Sequence, residues 1–304
     1  MADYEPVRVR RLDLDGLREL VFAPYRGHAF RGHGVTTYPL VPKAYRKDGY
    51  RILLEMMNGY LKYNGIAGRS YQDLDIEVLE MANLRIFHEL SNAQGLPVPD
   101  LASTTDDPLK EATHAMMYED RNNGRWMDNR WTEVACLAQH YGVPTRLLDW
   151  STDINVALHF AATSALRHID DGNGYFCLWV LDMDLAKRMV PGLDVIRPDY
   201  SRNPNMHAQS GVMTLMRGIP SASLSMPFDD HIRCMLRSAG MVTNLSEEYD
   251  RPVLERLDIP YDLLGDLSAY LSSRRYDSSR FNPGFRGSYL CMQECRAYSR
   301  LPDR

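Results

Sequence analysis

Leu137-Ala138-Gln139-His140-Tyr141-Gly142-Val143-Pro144-Thr145-Arg146-Leu147-Leu148-Asp149-Trp150-Ser151-Thr152 is the stretch on which the reading of this chain turns. An amphipathic helix reads from about Met127 to Tyr141 and stops at Gly142 with Pro144 just beyond. Glycine supplies the left-handed conformation that closes a helix, and proline cannot continue one. A second helix reads from Ser151 or Thr152, whose hydroxyl is expected to cap free N–H groups, through Val156, Leu158, Phe160 and Ala161. Between the two helices, amide, imidazole, guanidinium, carboxylate and hydroxyl groups crowd into a connection, the kind of segment that carries function more often than packing.

Outward from this stretch, His28 to His33 alternates apolar and polar residues and reads as a strand that ends near a site, with Arg31 at its end. A short helix over 12–22 leads into it. Helices are expected over Tyr50–Tyr63 and Tyr71–Asn92, where Leu, Ile, Met and Phe recur at steps of three and four. Residues 95–124, rich in Pro, Asp, Thr, Asn and Gly, read as a long loop or insertion covering a site. Tyr175–Leu181, YFCLWVL, is a continuous β-prone run and reads as a buried central strand. Strand-like segments recur at His207–Met216 and Pro252–Ile259, a helix is expected over Tyr261–Ser272, and periodicity is weak beyond Ser273. The organisation expected is an N-terminal lead-in over 1–27, one domain over 28–290 and a tail over 291–304.

With 44% hydrophobic and 25% charged residues among 304, the composition is that of an ordinary globular chain able to bury a core without staples. A net charge of -5 gives no global attraction for nucleic-acid phosphates. A local basic groove from Arg274, Arg275, Arg280 and Arg286 would be needed for a nuclease or RNA-binding reading. Five scattered cysteines, mostly in apolar runs, suggest reduced thiols and a cytoplasmic protein. No apolar run approaches a membrane span and the N-terminus has no signal-peptide core, so no membrane partner is expected. Zinc-type spacings and the phosphate-binding glycine loops are missing from the sequence, so no metal, ATPase or dinucleotide-fold chemistry is expected.

Phe30-Arg31-Gly32, Tyr38–Arg46 (YPLVPKAYR), Leu137–Ala162 (LAQHYGVPTRLLDWSTDINVALHFAA) and Ala208–Thr214 (AQSGVMT) together resemble the FRG domain family over roughly residues 28–290. That resemblance implies an α+β module of bacterial or phage association and little defined chemistry. A weaker likeness is to the arginine-serine-glutamate class of ADP-ribosyltransferases. Arg31-Gly32, then Ser151-Thr152-Asp153 leading into Ala157-Leu158-His159-Phe160-Ala161, then Gln209, occur in that class's order. It implies a split β-sheet core flanked by helices and NAD as substrate, with the role of a toxin or antiviral defence effector. A protein or nucleic acid would be the acceptor of ADP-ribose.

Cleaving the nicotinamide bond of NAD creates an oxocarbenium-like ribosyl group, so a site must grip the diphosphate, hold the ribose and offer acceptors to a developing cation. Arg31 suits the phosphate, Gly32 a close backbone approach, and Ser151 and Thr152 the ribose, with His33 and Arg146 beside them. His140, Asp149 and Gln209 are the candidates near the reacting bond. Gln209 stands where the class has a glutamate and cannot act as a base. Each residue also has a structural reading: Arg31 paired with Asp149, His140 serving the last carbonyls of its helix, Asp149–Thr152 capping the next helix, and Gln209 satisfying backbone groups of a loop. A non-catalytic nucleotide- or partner-binding module is the alternative for the whole.

Overall fold

The computed structural model describes residues 5–65, 72, 74–99, 101, 129–168, 174–202, 204–217, 223–238, 251–299 and 301. The expected 95–124 segment is irregular backbone at 95–99 and, save Leu101, otherwise lies outside the described residues. In chain order the elements are β1 (Val7–Arg11), α1 (Leu14–Phe22), β2 (His28–His33), α2 (Lys47–Tyr63), α3 (Ile76–Ala93), α4 (Asn129–His140), β3 (Leu148–Ser151) and α5 (Ile154–Ala165). There follow β4 (Tyr175–Asp182), α6 (Met183–Met189), β5 (Leu193–Ile196), α7 (Pro204–Ala208), β6 (Gly211–Met216), α8 (Phe228–Ser238), β7 (Leu254–Pro260), α9 (Leu264–Ser273), α10 (Ser278–Phe281) and α11 (Phe285–Tyr298).

The strands form one open, mixed, seven-stranded sheet in the order β1-β7-β4-β2-β3-β6-β5. β1 runs parallel to β7, and the other neighbours are antiparallel. β4 is the expected buried strand: alternate side chains point to opposite faces, and both faces are covered. Phe176, Leu178 and Val180 join Phe30 and Leu257 in a core shared with α1, α5 and α9. Cys177, Trp179 and Leu181 join Ala29, Trp150 and Val212 in the core beneath α6 and α8. Burying a ring such as Phe30, 1% exposed, stabilises by roughly 1.5–3 kcal/mol.

The opposite alternation on β6 sends Met213 and Leu215 into a third core with α2, α3 and α4. One side of the sheet therefore carries two cores side by side, one over β7-β4-β2 and the other over β3-β6. The two halves meet through a single antiparallel pair, Phe30 opposite Ser151, whereas β2 and β4 pair along all six residues of β2. Both flanking cores end at this junction, and Gln139, Asp149, Ser151 and Thr152 of the 137–152 stretch lie along it.

Several expectations change in detail. The segment 207–216 is not one strand. Residues 204–208 are helical, Ser210 takes a left-handed φ of 48°, and β6 starts only at Gly211. Gln209 thus lies in a tight turn, where Ser210 N donates to His207 O at 3.0 Å. The cap of α5 is not a hydroxyl: Ser151 belongs to β3, and the Asp153 carboxylate accepts from Asn155 N. The reason is that Thr152 N still bonds Ser210 O at 2.9 Å, which extends strand pairing two residues further than expected. β1, read as part of a helical lead-in, is an edge strand whose alternating valine and arginine leave only Val7 buried, as charged edges usually do. The weakly periodic C-terminal segment contains the 14-residue helix α11.

Candidate functional site at the strand junction

The end of α4 follows the expected stop. Val143 N and Tyr141 N both bond Ala138 O at 3.1 Å, and Gly142 has φ +99°, a conformation that costs glycine little. The chain then turns back through Thr145 and Arg146 into β3, placing Asp149 beside Met213 of β6. Arg31, on β2, reaches across the junction. Its Nη1 is 2.6 Å from Asp149 Oδ1 and donates to Asp149 O at 2.7 Å. Its Nε donates to His33 Nε2 at 3.0 Å.

That last bond fixes a tautomer. Since Nε2 of His33 accepts, Nδ1 carries the proton, and it donates to Tyr38 O at 3.2 Å. Burial, and next the charge of Arg31, push His33 down to about 3, so it is a neutral strut for the guanidinium. Crowding by protein resists ionisation of Asp149, but the charge and hydrogen bond of Arg31 outweigh it and hold the carboxyl below the usual carboxylate range. On its other side Asp149 Oδ1 is 3.4 Å from Gln139 Nε2. The orientation of Gln139 is set by Thr145, whose hydroxyl donates to Gln139 Oε1 and accepts from Leu147 N at 3.2 Å. A connected network therefore runs Thr145–Gln139–Asp149–Arg31–His33–Tyr38, in which Gln139 and Arg31 both donate to Asp149 and Arg31 also donates to His33. Arg46, at the N-cap of α2, donates through Nε to Val41 O at 2.8 Å; burial, then the nearby Arg31, lower its pKa.

The second cluster lies where β3 meets the turn before β6. The Ser151 hydroxyl is 2.7 Å from Gln209 O and 3.0 Å from Asp153 O, and accepts from Asp153 N. Thr152 Oγ1 donates to Ser210 O at 3.2 Å. Both hydroxyls hold the 209–210 turn against β3. The Gln209 amide makes no hydrogen bond among the described residues, so its backbone is fixed and its side chain is uncommitted. Asp153 also accepts from Tyr276 OH at 2.8 Å.

Two of the expected ligand-binding residues serve packing instead. A Cβ on Gly32 would lie 2.0 Å from Ala157 O and 2.6 Å from Ala161 N. The missing side chain lets α5 lie on β2, and helix backbone fills the space a ligand would need. Arg146 is in the core, with its Nε and backbone N on the Glu80 carboxylate and Nη1 3.4 Å from Glu77. Burial opposes its charge, and Glu80 more than offsets that, raising its pKa. His140 stands at the end of α4, half-buried, its ring edge-on to Tyr141 at 5.4 Å. Burial lowers its pKa, and its ring makes no hydrogen bond among the described residues, to helix carbonyls or otherwise. Arg274 and Arg280 lie over the rings of Tyr270 and Tyr276, at 5.1 and 4.1 Å.

Sequence reading passed over Gln139 and Thr145 as site residues although both fall in the quoted stretch. Helical periodicity does not say whether Gln139 or its neighbour His140 meets the next strand. Among the described residues no group of three His, Cys, Asp or Glu side chains is placed to hold a metal, and no helix is long and apolar enough to cross a membrane.

Fold and site together define a mixed α/β protein on an open seven-stranded sheet, with its polar groups gathered where two halves of the sheet meet. The model of the FRG domain family matches residues 101–169 of the chain. The match contains α4, β3 and α5, and so supplies His140, Asp149, Ser151 and Thr152, while Arg31 and Gln209 reach the junction from outside it. No curated protein and no solved structure matches the chain.

Proposed function

We propose that the β2–β3 junction binds NAD or a related nucleotide and transfers or hydrolyses its ADP-ribose, in the role of a toxin or defence effector. One observation carries the reading. Arg31, Ser151 and Gln209 come from distant parts of the chain and stand on three adjacent strands or their ends, β2, β3 and β6, beside the junction that the pair Phe30–Ser151 makes. In this reading Arg31 holds phosphate through the part of its fork that Asp149 and His33 leave open, since a guanidinium can bond two acceptors in its plane at once. Asp149, an ionised and solvent-facing carboxylate, supplies the negative charge that Gln209 lacks beside a developing oxocarbenium ion. The Gln209 amide takes a ribose hydroxyl, and Ser151 and Thr152 hold the turn that presents it.

Incubation of the protein with NAD, with free nicotinamide followed over time, tests the proposal. Turnover that falls at least a hundredfold in Arg31→Ala supports it. No turnover in the unaltered protein refutes the enzymatic reading.

A non-catalytic nucleotide-binding module is the second reading, and the pairing of Asp149 with Arg31 favours it, because the guanidinium offsets the carboxylate's charge. A thermal shift with NAD that Arg31→Ala removes, without nicotinamide release, selects this reading.

A further inference from the structure

Helix α11 carries two cysteines four residues apart, Cys291 and Cys295. That spacing places both on one side of the helix, one turn apart. Cys295 is exposed and Cys291 partly so. The other three cysteines differ: Cys136 and Cys177 are buried, and Cys234 is exposed on α8, which has no second cysteine.

Two chemistries compete for a pair of thiols at this spacing. A disulfide needs Cβ atoms about 3.5–4.5 Å apart, whereas residues at this helical spacing hold them about 5–6 Å apart. Closing one would distort the turn from 291 to 295, and that turn is anchored. Its Glu294 carboxylate lies 3.2 Å from His159 Nε2 of α5 and accepts from both the backbone N–H and the hydroxyl of Ser278. Burial, and then the charge of Asp277, push the Cys291 thiol up to about 11, which also slows thiolate exchange. An atom inserted between the two sulfurs spans the wider gap with the helix intact.

We infer that Cys291 and Cys295 form a dithiol site for a soft, thiophilic trivalent centre of the organoarsenical class. With phenylarsine oxide as probe, two As–S bonds form and the As–O bond breaks. The oxygen leaves as water with the two thiol protons, and arsenic stays trivalent.

The test is one equivalent of phenylarsine oxide on the folded chain, read by intact mass and by titration of free thiols. The expected result is one adduct, two thiols lost, resistance to excess monothiol and release by excess dithiol. C291S and C295S should each lower monothiol-resistant labelling at least tenfold, with helical circular dichroism unchanged, and C234S should label as the unaltered chain does. A wild-type adduct removed by monothiol, or resistant labelling that persists in C291S or C295S, overturns the inference.

Discussion

Two arginine–carboxylate pairs draw a member each from the same short stretch, and they differ in what surrounds them. Arg146 and Glu80 have side chains 5% and 0% exposed, sealed between α3 and the turn before β3. Arg31 and Asp149 have side chains 16% and 61% exposed, at a junction where two cores end. In the sealed pair each partner's burial is tolerable only because the other is there, so the pair fixes the position of β3 against α3. In the open pair water shares in the solvation of Asp149, so the contact contributes little to stability and a ligand can reach it. Charged residues of like type and near-adjacent position thus serve the fold in one case and the site in the other, and burial decides which.

The comparison can be broken most sharply at its sealed end. Glu80→Ala takes the nearer carboxylate from a buried guanidinium and leaves it Glu77 at 3.4 Å, and is expected to lower stability by about 3–5 kcal/mol, measured by chemical denaturation; a loss below ~1 kcal/mol would mean that Glu77 or water compensates Arg146. Next in size is Gly32→Ala, beside the open pair. The added methyl meets α5 backbone that cannot yield locally, and a loss of about 1–3 kcal/mol is expected, whereas a site with a vacant cradle at Gly32 would accept alanine freely.

The pH dependence sharpens the open end. His33 has its folded pKa depressed to about 3, below the unfolded value of about 6.5, so the unfolded chain binds the proton more readily. Its contribution is fully present above pH 6.5 and is lost as pH falls from there toward 3, at a slope approaching 1.4 kcal/mol per unit. His33→Gln should flatten that limb of a stability–pH curve, and an unchanged slope would remove His33 from the account. The smallest effect is expected for Asp149→Asn: about 1 kcal/mol or less of stability, read from the melting temperature, set against a large loss of nucleotide turnover.

Much of the architecture was legible because strong periodicities and helix stops act locally. The run from Tyr175 to Leu181 could be little but a covered strand, and Gly142 with Pro144 could be little but the end of a helix. The misreadings arose where long-range contacts override local pattern. Nothing near Gly32 in sequence announces that α5 will lie on it, and nothing beside Arg146 announces Glu80, 66 residues away. Likewise the Ser151 hydroxyl looked like a helix cap, but the 209–210 turn engages Ser151 and Thr152 and leaves the cap to Asp153. The pairing of Arg31 with Asp149 was legible as an alternative, since a guanidinium on a strand needs an acceptor. The positions of Gln139 and Thr145 behind Asp149 depend on the angle at which α4 meets β3, which the sequence does not encode locally.

The claim at the centre is that the open Arg31–Asp149 junction is where a nucleotide binds. Calorimetric titration of NAD into the unaltered chain and into Arg31→Ala and Arg31→Lys tests it most directly. Saturable binding that weakens at least tenfold in Arg31→Ala, and partially in Arg31→Lys because a lysine keeps the charge but not the planar fork, is the predicted result. Equal binding by all three proteins, or none by the unaltered chain, would contradict it.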